Sequence, residues 1–178
     1  MESISTKSAE AHFRDCLNKH EAIIWKVVYA FSNDTESHKE LYHEILLEIW
    51  QALPNFRGES QLSTWMYSVA FRSAMSRNRK RIKKNKFEVS FDAFSSDSSP
   101  MAQMIGDNQE DERHEKIQSL YQAIRQLNEV DRSLTLMHLD GLSYREIGNT
   151  LSMTESNVGA RLTRIRKKLA KLLTEDEQ

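Results

Sequence analysis

The chain has 178 residues, with 25 Lys and Arg against 26 Asp and Glu. A formal charge of −1 excludes a uniformly basic nucleic-acid binder and leaves any such contact to local patches. Cys16 is the sole cysteine, which excludes an intramolecular disulfide and a Cys-cluster zinc site.

No segment approaches the roughly 18 uninterrupted apolar residues of a membrane span. The amino terminus also lacks the basic-then-apolar order of a secretion signal. A cytoplasmic protein with no membrane insertion is therefore expected. Only two prolines and five glycines punctuate the chain, so long helices should dominate. The expected fold is all-α: two small helical domains joined by a flexible linker, the second a helix-turn-helix. Charge is segregated along it. Cations collect in 72–86 and 161–171, acids in 36–48 and 107–115.

In chain order, Phe13, Leu17, Ile24, Val27, Val28 and Phe31 recur at helical spacing and predict an amphipathic core helix over 13–31. Turn and capping residues at 32–35 end it. A second helix follows over about 36–53, stopped by Pro54, with Leu41, Ile45, Leu46, Ile49, Trp50 and Leu53 on its apolar side. Glu40, Glu44, Glu48 and Gln51 form the opposite stripe, with His43 beside it. Carboxylates stacked four apart repel one another slightly. The row is thus either a docking face for a basic partner or an ordinary solvated face. His38, His43 and Glu44 lack the spacing that would put two imidazoles on one helix face, so no metal site is expected.

The loop 55–60 carries Phe56, Arg57 and Gly58. The long helix after it, about 61–84, has a core stripe of Leu62, Trp65, Met66, Val69, Ala70 and Ala74. A second apolar line, Tyr67, Phe71 and Met75, exceeds what one buried stripe needs, and Arg72, Arg77 and Arg79 lie near it or in the basic run that ends the helix. Aromatics interleaved with cations suit a single nucleic-acid strand, whose bases stack on rings at roughly 1–3 kcal/mol each while cations follow the backbone. The competing reading is that Tyr67 and Phe71 simply pack against the first two helices.

From 87 to 112 serines and aspartates accumulate and helical periodicity is lost, the mark of a linker. Within it, Phe87, Val89 and Phe91 alternate as a short extended segment would. Ile117, Leu120, Tyr121, Ile124 and Leu127 restore a helix, and another holds Leu134, Met137 and His138 before Asp140 and Gly141 close it.

Then comes GLSYREIGNTLSMTESNVGARLTRIRKKLAKLL. Ser143 and Glu146 form a capping box, so a short helix starts near Tyr144. Its Ile147 and Leu151 share one stripe, and Gly148 would let another helix approach. Thr154 has the chemistry of a second N-cap. Behind it Val158, Leu162, Ile165, Leu169 and Leu172 make one apolar seam, opposite Asn157, Ala160, Arg161, Arg164, Lys168 and Lys171. Such a basic helix can read bases in a major groove and grip phosphates with its later cations; a solvated helical hairpin is the plainer alternative. No nucleophile-and-base pair, glycine-rich phosphate loop or metal cluster stands out, so neither catalysis nor a cofactor is expected.

The segment EILLEIWQALPNFRGESQLSTWMYSVAFRSAM, a basic run, a polar linker, and LNEVDRSLTLMHLDGLSYREIGNTLSMTESNVGARLTRIRKKLAKLL together resemble the bacterial extracytoplasmic function (ECF) sigma factors of the sigma-70 family. The resemblance covers about 10–173. It implies a region 2-like domain over 8–86, a linker over 87–112 and a region 4-like helix-turn-helix domain over 113–174.

The implied partners are core RNA polymerase, promoter DNA (duplex and non-template single strand) and an anti-sigma factor. Implied polymerase contacts are Glu40, His43, Glu44 and Glu48. At the minus-10 element they are Phe56, Arg57, Gly58, Trp65, Tyr67, Phe71, Arg72, Arg77 and Arg79. At the minus-35 element they are Asn157, Gly159, Ala160, Arg161, Thr163, Arg164 and Lys168. The chain departs from the family at His43, where glutamine is common, at Arg72, where a polar amide is frequent, at Ser152, where glycine is usual, and at Gly159, where a long cation is common. A stand-alone helix-turn-helix regulator of duplex DNA remains the other reading of the same residues.

Overall fold

Local capping chemistry sets where the helices of this computed structural model begin and end. The structure describes the backbone of residues 2–85 and 110–175 and the side chains of 9–81 and 114–174. Helix α1 (Glu2–Phe31) stops where Ser32 turns its hydroxyl onto the Val28 carbonyl at 2.7 Å. Asp34 caps α2 (Thr35–Ala52), accepting from the Ser37 amide and the Ser37 hydroxyl, each at 2.8 Å. Burial works against the Asp34 carboxylate, but those two donors outweigh it and hold its pKa below the usual value. Pro54 sits in the tight turn Leu53–Asn55, after which the loop leads to α3 (Leu62–Asn85). These three helices pack on one another pairwise around Ile24, Val27, Leu41, Ile45, Ile49 and Met66. Cys16 lies buried in that core, 3.5 Å from the Met66 sulfur.

The second unit holds α4 (Glu110–Arg125), α5 (Glu129–Leu139), α6 (Tyr144–Leu151) and α7 (Glu155–Glu175). Helix α4 starts inside the segment assigned from sequence to the linker; Phe87, Val89 and Phe91 fall outside the described residues. Asn128 caps α5 through the Asp131 amide at 2.9 Å. The capping box on α6 is present: Ser143 Oγ accepts from the Glu146 amide at 3.2 Å, while Glu146 Oε2 accepts from the Ser143 amide at 2.8 Å. Thr154 Oγ1 accepts from the Asn157 amide at 3.3 Å and opens α7. Ile147, Val158, Leu162 and Ile165 are buried between the helices.

What approaches Gly148 is the turn itself rather than another helix. A Cβ at that position would lie 2.6 Å from the Met153 carbonyl oxygen. The fold is thus all-α among the described residues, two helical units of which the second is a helix-turn-helix.

The units are packed together, α1 against α4 and α5, and α3 against α5 and α6. The last turn of α1 has carbonyls that its own helix cannot satisfy. Arg125 donates to the Tyr29 carbonyl at 3.0 Å and Arg132 to the Ala30 carbonyl at 3.2 Å, so cations from the second unit close the negative end of the α1 dipole. Arg132 also covers the Phe31 ring at 5.6 Å.

Candidate nucleic-acid interface

On α7 the seam buries Val158, Leu162 and Ile165 and turns Asn157, Ala160, Thr163, Arg164 and Lys168 outward, all exposed. Two of the expected contacts are already engaged. Arg161 donates from Nε to Asp131 Oδ1 at 2.9 Å and is drawn toward α5. Lys168 donates to the Gln126 carbonyl at the end of α4, at 3.1 Å. Gly159 is half-buried, and a Cβ there would meet the Tyr144 ring at 3.4 Å. The open part of the face is therefore Asn157, Ala160, Thr163 and Arg164, near the start of the helix. That is where a recognition helix meets base edges.

In the first unit, Phe56 and Trp65 are half-buried with ring centroids 5.1 Å apart, and Arg57, Gly58, Arg72 and Arg79 are exposed. Gly58 takes a positive φ of 71°, which glycine adopts without steric cost. Tyr67 and Phe71 differ from these. Tyr67 is 0% exposed and Phe71 3%, their rings stacked at 5.2 Å, with Phe71 also facing Phe31 of α1 at 6.0 Å. The competing sequence reading, that these rings are packed, thus describes their state here, with Asp140 of the second unit closing over the Tyr67 hydroxyl. The Tyr67 hydroxyl donates to Asp140 Oδ2 at 2.6 Å, and Asp140 Oδ1 accepts from Lys26 of α1. Burial first, and then the Asp140 carboxylate, raise the Tyr67 pKa well above its ordinary value, so the phenol keeps its proton.

Arg77 does not stand among the exposed cations. It pairs with Glu44 at 2.7 Å and with Glu40, tying α3 to the acidic row on α2. Burial alone would lower its pKa, yet the two carboxylates win and raise it. Glu40, His43, Glu44 and Glu48 remain exposed, and Leu47, 56% exposed, stands among them by helical spacing. Leu47 was missed from sequence. Its signal was an apolar residue out of register with the buried side of its helix. Arg125 and Arg132 were missed as well, since nothing in helical periodicity marks a cation that caps a distant helix. Among the described residues, no group of three or more His, Cys, Asp or Glu could hold a metal ion. No helix among them is long and apolar enough to cross a membrane.

A helix-turn-helix with an open amino-terminal face, joined to a three-helix unit with its own aromatic and cationic surface, defines a helical DNA-binding protein of two units. Its relatives are specific. The family profile Sigma-70 region 2 matches residues 16–83 and that of Sigma-70, region 4 matches residues 117–169, together more than half of the chain. The chain belongs to the sigma-70 family, as an ECF sigma factor.

It is 27% identical over 165 residues to the RNA polymerase sigma-H factor of Pseudomonas aeruginosa, covering 87% of this chain and 82% of that one. To the RNA polymerase sigma factor YlaC of Bacillus subtilis it is 26% identical over 167 residues, covering 92% and 93%. In fold it is similar to the sigma factor RpoE of Bartonella quintana, solved with the anti-sigma factor NepR, at a TM-score of 0.72 and 18% identity over 92% of this chain and 97% of that one. It is also similar to CnrH, solved with the cytosolic domain of CnrY, at a TM-score of 0.62 and 16% identity over 96% and 95%.

Proposed function

We propose that this sigma factor confers promoter recognition and DNA opening on core RNA polymerase in the cytoplasm, with the carboxylate face of α2 as its polymerase contact. Its α7 reads the minus-35 duplex through Asn157, Ala160, Thr163 and Arg164. Its first unit holds unpaired minus-10 bases with Phe56, Trp65, Tyr67 and Phe71, aided by Arg57, Arg72 and Arg79. Extruding a base costs a few kcal/mol, which stacking at about 1–3 kcal/mol per base and phosphate contacts can offset. The chain itself makes and breaks no bond; polymerase supplies the catalysis. An anti-sigma factor is a further partner by analogy with the relatives solved in such complexes.

The observation that carries this reading is the pairing of an exposed carboxylate row on α2 with an exposed base-reading face on α7 in one chain matched by both sigma-70 profiles. Co-purification with core polymerase, followed by transcription from a promoter library, tests it. Specific transcripts dependent on the added chain are expected. Tight, specific promoter binding by the chain alone, with polymerase indifferent to it, would instead assign a stand-alone regulator.

A further inference from the structure

Tyr144 opens α6, yet its ring lies against α7. A Cβ at Gly159 would stand 3.4 Å from Tyr144 Cε2 and 3.8 Å from Cδ2, ordinary contact distances. The ring also meets His138 edge-on, centroids 6.0 Å apart, and His138 Nε2 accepts from Arg166 of α7 at 2.8 Å. Tyr144 is thus held between the end of α5 and the side of α7, while 37% of it stays exposed. Gly159 lies four residues before Thr163, so the two share one side of α7. The ring therefore borders the open face at the place where α7 itself carries no side chain.

The groups of that face that could hydrogen-bond are largely turned back on the protein. Thr163 Oγ1 donates to the Gly159 carbonyl at 3.0 Å, and Arg164 Nε to the Ala160 carbonyl at 3.4 Å. Arg161 and Lys168 are drawn to Asp131 and to the Gln126 carbonyl. Ala160 and Thr163 remain exposed, and what they chiefly offer outward is methyl surface. With the Tyr144 ring beside them, this edge of the face is apolar. Among the four bases, only thymine presents an apolar group in the major groove, its C5-methyl.

We propose that Tyr144 is a specificity-determining residue of the minus-35 contact: its ring stands in for the side chain that Gly159 lacks and, with the Ala160 and Thr163 methyls, selects thymine by its C5-methyl group. The inference rests on the reading of α7 as the minus-35 reader. Hydrogen bonds to base edges then fall to Asn157 and Arg164, on the rest of the face. A long side chain at 159 would compete with the ring for the same room, so the glycine and the tyrosine act as a pair.

The test uses holoenzyme assembled from the full chain and core polymerase. A promoter library randomised over the upstream element yields the preferred duplex, in which each thymine is then replaced singly by uracil. Uracil pairs alike and lacks only the methyl. Competition binding reads the effect of each replacement on the unmodified chain and on three variants. Tyr144→Ala removes the ring, Tyr144→Phe keeps it without the hydroxyl, and Thr163→Ser drops the methyl while keeping the hydroxyl.

Uracil at two neighbouring thymines should each weaken binding by about fourfold, the effect of one buried methyl group. Tyr144→Ala should erase the loss at one of them and Thr163→Ser at the other, whereas Tyr144→Phe should retain both. A library with no preferred upstream duplex overturns the minus-35 reading, and this inference with it. A preferred duplex that tolerates uracil at every thymine overturns the methyl reading alone, and needs no variant to show it. Uracil losses that persist in Tyr144→Ala, or a Tyr144→Phe chain as weakened on every duplex as Tyr144→Ala, overturn the role of the ring; the second result assigns the hydroxyl to a phosphate.

Discussion

The α-carbon of Gly148 faces the carbonyl oxygen of Met153, so close that a Cβ would stand 2.6 Å away. The same pair is joined the other way, the Met153 amide donating to the Gly148 carbonyl at 2.8 Å. Both partners are backbone, and neither can rotate aside as a side chain could. Gly148→Ala should therefore force the turn open and destabilise the protein by about 1–3 kcal/mol. Thermal melting measures this; an unchanged midpoint would mean that the turn yields freely.

Ser152, in the same turn, has φ 56° and ψ 48°, the left-handed conformation that costs a residue with a Cβ roughly 1–2 kcal/mol. Here the departure from the family's usual glycine has a visible backbone consequence. Ser152→Gly should raise stability by about 1 kcal/mol, the steric relief partly offset by the freer unfolded chain. Denaturant titration at constant slope would measure the gain, and a loss would contradict the strain argument.

At the open face of α7, Arg164→Ala should weaken binding to the preferred minus-35 duplex by about 1–3 kcal/mol if the guanidinium is bidentate to a guanine. Holoenzyme competition on duplexes altered one base pair at a time separates two outcomes. Loss confined to one position marks base reading. Equal loss on every sequence marks a phosphate contact.

Charge reversal of Glu40, Glu44 and Glu48 to lysine should weaken binding to core polymerase, by roughly 3- to 150-fold if each carboxylate contributes about 0.2–1 kcal/mol. Arg77→Ala should act the other way. It frees two carboxylates that the guanidinium now occupies, so polymerase affinity should rise slightly. Fluorescence titration with labelled chain reads both, and no response to the triple reversal would return the row to plain solvated surface.

The His138 Nε2 accepts from the Arg166 guanidinium at 2.8 Å, which requires a neutral imidazole. Burial, and then the Arg166 charge, lower its pKa from the ordinary 6.5. His38 is lowered too, by burial and then Arg125, with its hydrogen bond to the Ser32 carbonyl and the Asp34 charge opposing. The unfolded chain thus binds these protons more readily. Their contribution to stability is complete above about pH 6.5 and is lost as pH falls through the depressed folded values. Melts from neutral pH to about pH 5 should show falling stability, with a shallower decline in His138→Gln. Identical slopes would remove His138 from the account.

Sequence periodicity and capping chemistry located the seven helices among the described residues to within a few residues, apart from the start of α1. The reason is local: Asp34, Asn128, Ser143 and Thr154 each satisfy amides of the helix they begin. The candidate surfaces were legible only by type. Arg161 and Lys168 sit on the cationic side of α7, but Asp131 and the Gln126 carbonyl that engage them come from helices whose placement no repeat pattern encodes. Arg77 reads as a cation for DNA until α2 supplies two carboxylates. The surplus apolar line on α3 left two readings of Tyr67 and Phe71, stacking on bases or packing, and their burial matches the second in this structure. The Tyr67 contact could not be read from the pattern, because its partner, Asp140, lies 73 positions away.

Arg125 and Arg132 lend their guanidinium protons to the end of α1 across the boundary between the units. Neither half is self-sufficient while they are docked. Cut away from its companion, the amino-terminal half would lose the guanidinium donors to the Tyr29 and Ala30 carbonyls and the Asp140 acceptor of the Tyr67 hydroxyl. Fragments made for study should therefore be less soluble than the intact chain, and heating the whole should yield one shared transition instead of two.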